Sequence, residues 1–192
     1  MASELDAAVA GSVAVREEDG RYYNRFCFVR PDGDCTFYDK HHLFTYGGEH
    51  HRYTAGKERV VAEFRGVRFL LQICYDLRFP VFGRNLDDYD VALYVANWPD
   101  KRRMAWDVLL RARAIENQAV VIGVNRVGID PMCVYDGGTA AIDFFGNVAG
   151  ATLYVVGNVD KETLKPLVEK YVASLPGGKK GDIPQLVQNI DY

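Results

Sequence analysis

Residues 67–74 read Val-Arg-Phe-Leu-Leu-Gln-Ile-Cys, a strand apolar enough to be buried on both faces. Such a strand needs a neighbour on each side and cover above and below, which points to the interior of a layered α/β structure. The segment Val-Ala-Leu-Tyr-Val-Ala-Asn at 91–97 has the same character and predicts a second buried strand. Between that strand and the strand expected in Val-Val-Ile-Gly-Val-Asn-Arg-Val-Gly at 120–128, residues 102–118 read as a helix. Met104, Val108, Ile115 and the Leu109/Leu110 pair recur near helical spacing and predict its apolar stripe.

The flanking segments read as hairpins. Ala7–Val15 is expected to form a short buried strand, followed by a turn at Asp19-Gly20. Residues 22–30 alternate, with Phe26 and Phe28 on one face, and a Pro-Asp-Gly-Asp turn leads into Cys35–Lys40. Residues 41–58 form a long polar loop rich in aromatics and histidines, a composition that suits function better than disorder. Residues 60–74 form a hairpin turning at Arg65-Gly66, and 137–150 a strand pair turning at Gly146-Asn147.

The 192 residues suit one globular domain with a real core. A net charge of −3 with scattered basic residues argues against a nucleic-acid surface, and no run approaches the roughly 18 apolar residues of a membrane span. The start lacks the basic and apolar regions of a signal peptide. Cys27, Cys35, Cys74 and Cys133 form no CxxC pair or zinc pattern, which suggests a reducing, cytoplasmic setting. His41, His42, His50 and His51 fall in adjacent pairs without ligand spacing, so neither a metal nor another cofactor is expected.

Cys74 ends its strand immediately before Tyr-Asp-Leu-Arg-Phe-Pro. A sharp turn there would expose the thiol and aim backbone N–H groups at an oxyanion. Taken with Tyr-Asp-Lys-His-His-Leu-Phe at 38–44, Ala-Asn-Trp-Pro at 96–99 and Arg-Ala-Arg-Ala-Ile-Glu-Asn-Gln at 111–118, the chain resembles the nitrilase superfamily of carbon–nitrogen hydrolases, in its omega-amidase-like branch. The resemblance runs from about residue 7 to about residue 150 and implies an α/β/β/α sandwich. It implies Cys74 as nucleophile and Lys40 beside the thiol, where a positive charge would lower the thiol pKa and stabilise the tetrahedral intermediate. Glu49 matches the glutamate that orients this lysine and the substrate. The Tyr75 N–H is the implied second oxyanion donor, and Trp98, with Asn97 beside it, the implied pocket wall. Trp106 is expected in the core, and Arg78, Arg113 and Glu116 as ion-pair scaffolding.

Two departures stand out. The family's first strand, first helix and second strand, with the glutamate that serves as general base, have no counterpart before residue 7; Glu4 sits in the wrong context. The segment 151–182 carries an expected strand, an Asp160 N-cap and a helix, and resembles a structural segment of insulinase-like zinc peptidases, although the chain has no HxxEH. The expected organisation is a partial hydrolase domain at 1–150 and a tail of different origin at 151–192. The reading favoured is hydrolysis of a small linear amide, impaired by the missing glutamate, by a chain that pairs with itself. Nitrile hydrolysis, a non-catalytic remnant or binding subunit, and a chain too incomplete to fold stably are the alternatives.

Overall fold

The structure is a computed structural model that describes residues 1–149; the strand and helix expected in 151–192 lie outside them. A one-turn helix α1 (Ala2–Leu5) leads into β1 (Val9–Arg16), β2 (Tyr22–Val29) and β3 (Cys35–Asp39), an antiparallel sheet in that order. β4 (Val61–Phe64) and β5 (Val67–Ile73) form the expected hairpin; Arg65 and Gly66 both take positive φ, 52° and 78°, as a two-residue hairpin turn requires. β6 (Val91–Ala96), helix α2 (Arg103–Asn117) and β7 (Val120–Asn125) complete a parallel core of β5, β6 and β7. After a small hairpin of β8 (Val127–Ile129) and β9 (Val134–Asp136), β10 (Ala140–Ile142) and β11 (Val148–Ala149) add to the edge. The second sheet therefore has six strands in the order β11-β10-β7-β6-β5-β4.

The continuous apolar runs of β5 and β6 are explained by what lies on each face. Leu71, Ile73, Leu93 and Val95 face the three-stranded sheet, where they pack with Phe26, Phe28 and Tyr38. Leu70, Ala92 and Tyr94 face the opposite way, into the layer containing Trp106, Leu110 and Ala114 of α2. Sheet on sheet with a helix layer outside is the α/β sandwich the motifs imply. Gly123 of β7 lets the helix come close: a Cβ there would sit 2.5 Å from Leu110 and 2.8 Å from Trp106.

Two expectations need correction. β1 is not buried; each of its residues is intermediate or exposed, because it is an edge strand paired only with β2 among the described residues. Its composition of Ala, Gly, Ser and Val gives it little apolar surface to bury. In α2 the helix is where the periodicity puts it, but the stripe is turned. Met104, Val108 and Ile115 are 80%, 53% and 49% exposed, while Trp106, Leu110, Arg113 and Ala114 are buried. Arg113 can lie on the core face because both of its terminal nitrogens are paired there, Nη1 with Glu116 and Nη2 with the Leu77 carbonyl, each at 2.7 Å.

Candidate active site

Cys74 sits where β5 ends and a 3-10 turn, Cys74–Arg78, begins. Its φ of 48° lies in the left-handed region, which costs an L-residue about 1 kcal/mol and is held only by surrounding structure. That structure is Asp76. Its fully buried carboxylate accepts the Ile73 N–H at 2.9 Å, the Tyr38 hydroxyl at 2.7 Å, and the His42 N–H and Nδ1 at 3.0 and 2.9 Å. One side chain thus fastens the strand before Cys74 to β3 and to the segment following Lys40. Tyr75, second in the turn, has an N–H with no acceptor within the turn, as the first residues of any helical turn do.

Lys40 follows β3 and is 3% exposed. Its Nζ donates to Glu49 Oε2 at 2.6 Å. The same oxygen accepts the Phe44 N–H at 2.6 Å, and Oε1 accepts Asn24 Nδ2 at 3.1 Å. Glu49 occupies a 3-10 turn, Glu49–His51, inside the loop read as irregular, and that turn returns the chain to Lys40. The buried lysine is thereby paired and its partner held by two further donors, the arrangement a buried ion pair needs to be tolerated.

Cys74, Lys40, Glu49, Tyr75, Asn97 and Trp98 all line one cavity of about 1070 Å³. Asn97 contributes its carbonyl oxygen, 4.0 Å from Cys74 Sγ. Trp98 is nearly buried; its Nε1 donates to the Arg102 carbonyl at 2.8 Å, and its backbone is fixed on both sides by Asn125, at 2.7 and 2.9 Å. Trp106 is in the core, 5.5 Å from Trp98 between ring centroids. Arg78 departs from its expected role: no carboxylate lies within ion-pair distance among the described residues, and its guanidinium lies over the Trp98 ring at the cavity.

Burial pushes the Cys74 pKa up from the usual thiol value; Lys40 pulls it down, as expected of a positive charge beside it, but does not overcome the burial, and Glu49 adds a further upward push. A group that takes the thiol proton would therefore speed attack. Two carboxylates line the cavity among the described residues, Glu49 and Asp130. Asp130 accepts the Met132 and Cys133 N–H groups and the Tyr135 hydroxyl, each at 2.9 Å, which hold its pKa below the usual carboxylate range. His41 and His42 stack on Phe82 and Phe79, and no trio of His, Cys, Asp or Glu among the described residues is gathered for a metal.

Asp76, Asn24 and Asn125 carry much of this geometry and were not singled out from the sequence. Asn24 meets Glu49, Asp76 meets Tyr38 and Asn125 meets Trp98 across 25, 38 and 27 residues, and no local spacing marks such contacts.

Residues 1–154 match the family described as carbon-nitrogen hydrolase. The chain is 51% identical over 174 residues to omega-amidase YafV of Yersinia enterocolitica, covering 88% of this chain and 68% of that protein. It is 48% identical to omega-amidase YafV of Escherichia coli K12, covering 94% of this chain and 71% of that one, so the likeness reaches past residue 150. Among solved structures, a CN-hydrolase superfamily protein of Xanthomonas campestris with an arsenic adduct in its active site superposes with a TM-score of 0.75. The identity there is 44%, covering 92% of this chain and 71% of that one.

Proposed function

The chain belongs to the carbon–nitrogen hydrolase family, and on that premise we propose that it hydrolyses a small linear amide through a thioester on Cys74. The observation that carries this reading is the strained Cys74 turn opening on the same cavity as the buried Lys40–Glu49 pair. Cys74 Sγ attacks the amide carbonyl. The developing oxyanion is received by Lys40 Nζ and the Tyr75 N–H, donors of a kind worth about 3–4 kcal/mol each in the transition state. Glu49 holds Lys40 Nζ in position through the 2.6 Å hydrogen bond. Asn97 and Trp98 form the wall against which the substrate lies. Ammonia leaves, and water cleaves the thioester to release the acid. The reaction requires no metal or organic cofactor. The omega-amidase relatives, at 51% and 48% identity, favour the ω-amide of an α-keto acid as substrate.

A group must take the thiol proton and later activate water. Glu49 is committed to three donors and Asp130 to its own loop, so neither is free to do so among the described residues. We therefore expect the chain as given to acylate slowly and then stall. General acid–base catalysis supplies about 10²–10⁴-fold in rate, and that factor is the deficit predicted. The test is ammonia release from a keto-acid ω-amide, with Cys74→Ala as blank and mass spectrometry for a trapped acyl-enzyme. An acyl adduct on Cys74 with little turnover supports the reading. Rapid turnover abolished by Cys74→Ala overturns the stall and keeps the nucleophile. Turnover unaffected by Cys74→Ala overturns the nucleophile itself.

The outward stripe of Met104, Val108 and Ile115, with Phe145 also exposed, supports self-pairing through α2. Among the described residues no helix is long and apolar enough to cross a membrane. Four unpaired cysteines fit a cytoplasmic setting.

A further inference from the structure

Lys40 is gripped at both ends. Its Nζ donates to Glu49, and its main chain is held by two neighbours. The Lys40 N–H donates to the Asn24 carbonyl at 2.9 Å, and the Lys40 carbonyl accepts the Gly56 N–H at 2.9 Å. Gly56 belongs to the irregular segment that joins the Glu49 turn to β4. Two residues earlier the same segment is tied to the three-stranded sheet, where the Thr54 N–H donates to the Tyr22 carbonyl at 2.7 Å. The segment therefore runs against the end of β3, at the residues that carry Lys40.

The approach is closer than a side chain permits. A Cβ at Gly56 would stand 2.0 Å from the Asp39 carbonyl oxygen, 2.7 Å from its carbon and 2.9 Å from the Asp39 Cβ. The φ of Gly56 is not positive, so the position calls for space rather than for a conformation that only glycine adopts. The obstacle is the main chain of the residue before Lys40, which cannot rotate away. The other half of the grip is His41. Its Nδ1 lies 2.7 Å from the Gly56 carbonyl oxygen, and because a carbonyl only accepts, Nδ1 carries the proton. The ring is stacked on Phe82, 4.4 Å between centroids and 7° between planes, which fixes the direction of that N–H. The His41 main-chain N–H is engaged separately, with the Tyr38 hydroxyl at 3.0 Å.

We propose that Gly56 and His41 are positioning residues for Lys40: the glycine admits the 53–60 segment against the lysine's main chain, and the imidazole clamps it there. This role rests on the amidase reading, in which Lys40 serves Cys74. A lysine head sits on a flexible four-carbon stem, so the Glu49 contact fixes where Nζ ends but not where the stem begins. With root and head both fixed, Nζ is presented to the thiol in one place, and a misplacement of about 1 Å in such a group can cost about 10²-fold in rate. Neither Gly56 nor His41 lines the cavity of Cys74, so their effect on the thiol passes through the lysine.

The experiment follows iodoacetamide alkylation of Cys74 in the full chain against pH, read at that residue by peptide mapping, with urea unfolding measured alongside. The charged groups acting on the thiol are Lys40, Glu49 and Asp76, and of these Lys40 alone pulls its pKa down. Lys40→Met therefore marks the profile of a thiol without its lysine, shifted to higher pH. Gly56→Ala and His41→Phe should each shift the profile the same way, to a place between the parent and Lys40→Met. His41→Asn, which keeps an N–H donor beside the Gly56 carbonyl, should return it toward the parent. If Gly56→Ala does not fold, the two His41 variants carry the comparison. Added to Lys40→Met, neither Gly56→Ala nor His41→Phe should shift the profile further, because nothing is left to position. Gly123→Ala, which crowds the contact of α2 with β7 instead, should lower stability and leave the profile in place. Loss of stability in Gly56→Ala and His41→Phe with the parent profile unchanged would overturn the positioning role while leaving the amidase reading intact. A further shift of equal size in the Lys40→Met background would do the same. A Lys40→Met profile identical to the parent's would overturn both this role and the one given to Lys40 in the reaction.

Discussion

The Tyr38 hydroxyl donates to the buried Asp76 carboxylate at 2.7 Å, joining the last residues of β3 to the turn that carries the nucleophile. Lys40 leaves β3 two residues after Tyr38, so this contact fixes the distance between the lysine and the thiol from behind the site. Burial and the neighbouring Asp76 push the Tyr38 pKa well above the usual phenol value, so the hydroxyl stays protonated and donating across the working pH range. Asp76→Asn, which must present an NH₂ to donors, should cost about 2–5 kcal/mol of stability in urea unfolding. Tyr38→Phe removes one donor and should cost about 1.5–3 kcal/mol. Both should slow Cys74 alkylation at temperatures where the fold is intact.

A second prediction concerns pH. Burial raises the Cys74 pKa, so at neutral pH the thiolate fraction is below that of free cysteine. Alkylation of Cys74 should be slower than that of free cysteine at pH 7 and should continue to rise beyond the pH at which the free thiol is fully ionised. The sign for stability is the same: a proton held more tightly in the folded state favours folding below the unfolded thiol's pKa, and the benefit fades as pH rises through the folded value. Lys40→Met removes the charge that pulls this pKa down and should slow alkylation at pH 8. Faster alkylation in that variant would show that the lysine does not act on the thiol.

The close approach of α2 to β7 gives a third. Gly123→Ala would place a methyl group 2.5 Å from Leu110 and 2.8 Å from Trp106, and the helix must shift to admit it. The expected loss is about 1–3 kcal/mol, read as a lower Tm or urea midpoint. Pairing it with Leu110→Ala, which opens space at that point, should cost less than the sum of the two single changes.

A fourth prediction addresses self-association. Met104→Lys and Ile115→Lys place charges on the outward stripe of α2 without touching its buried face. If the stripe is the contact between copies, both variants should shift light-scattering mass toward the monomer with little change in secondary structure. An unmodified chain that is monomeric at high concentration would remove the stripe from consideration.

What could be read from the sequence follows from where the information sits. β5 and β6 were legible because burial on both faces leaves a continuous apolar run, and the Arg65-Gly66 turn because two positive φ angles leave a local mark. Helix α2 was legible as a helix, but its buried face was not. A stripe counted from apolar residues passes over Arg113, whose charge is neutralised by groups that only the fold brings near. Lys40, Glu49 and Cys74 came from motif resemblance, and the structure places them on one cavity. Arg78 was read as scaffolding because a lone arginine gives no sign of whether a carboxylate will meet it. Lys40 could be foreseen as a neighbour that lowers the Cys74 pKa, whereas the opposing effect of burial is a property of the assembled layers.

The positive φ of Cys74 makes the nucleophile a thermodynamic liability in the folded chain. Glycine adopts that conformation without the steric penalty, so Cys74→Gly should relieve up to about 1 kcal/mol of backbone strain, set against the contacts the thiol makes with both core clusters. Alanine at the same position keeps the penalty and should show no such gain. Selection for stability alone would drift this position toward glycine, and the cysteine persists only where its chemistry outweighs the cost of holding it there.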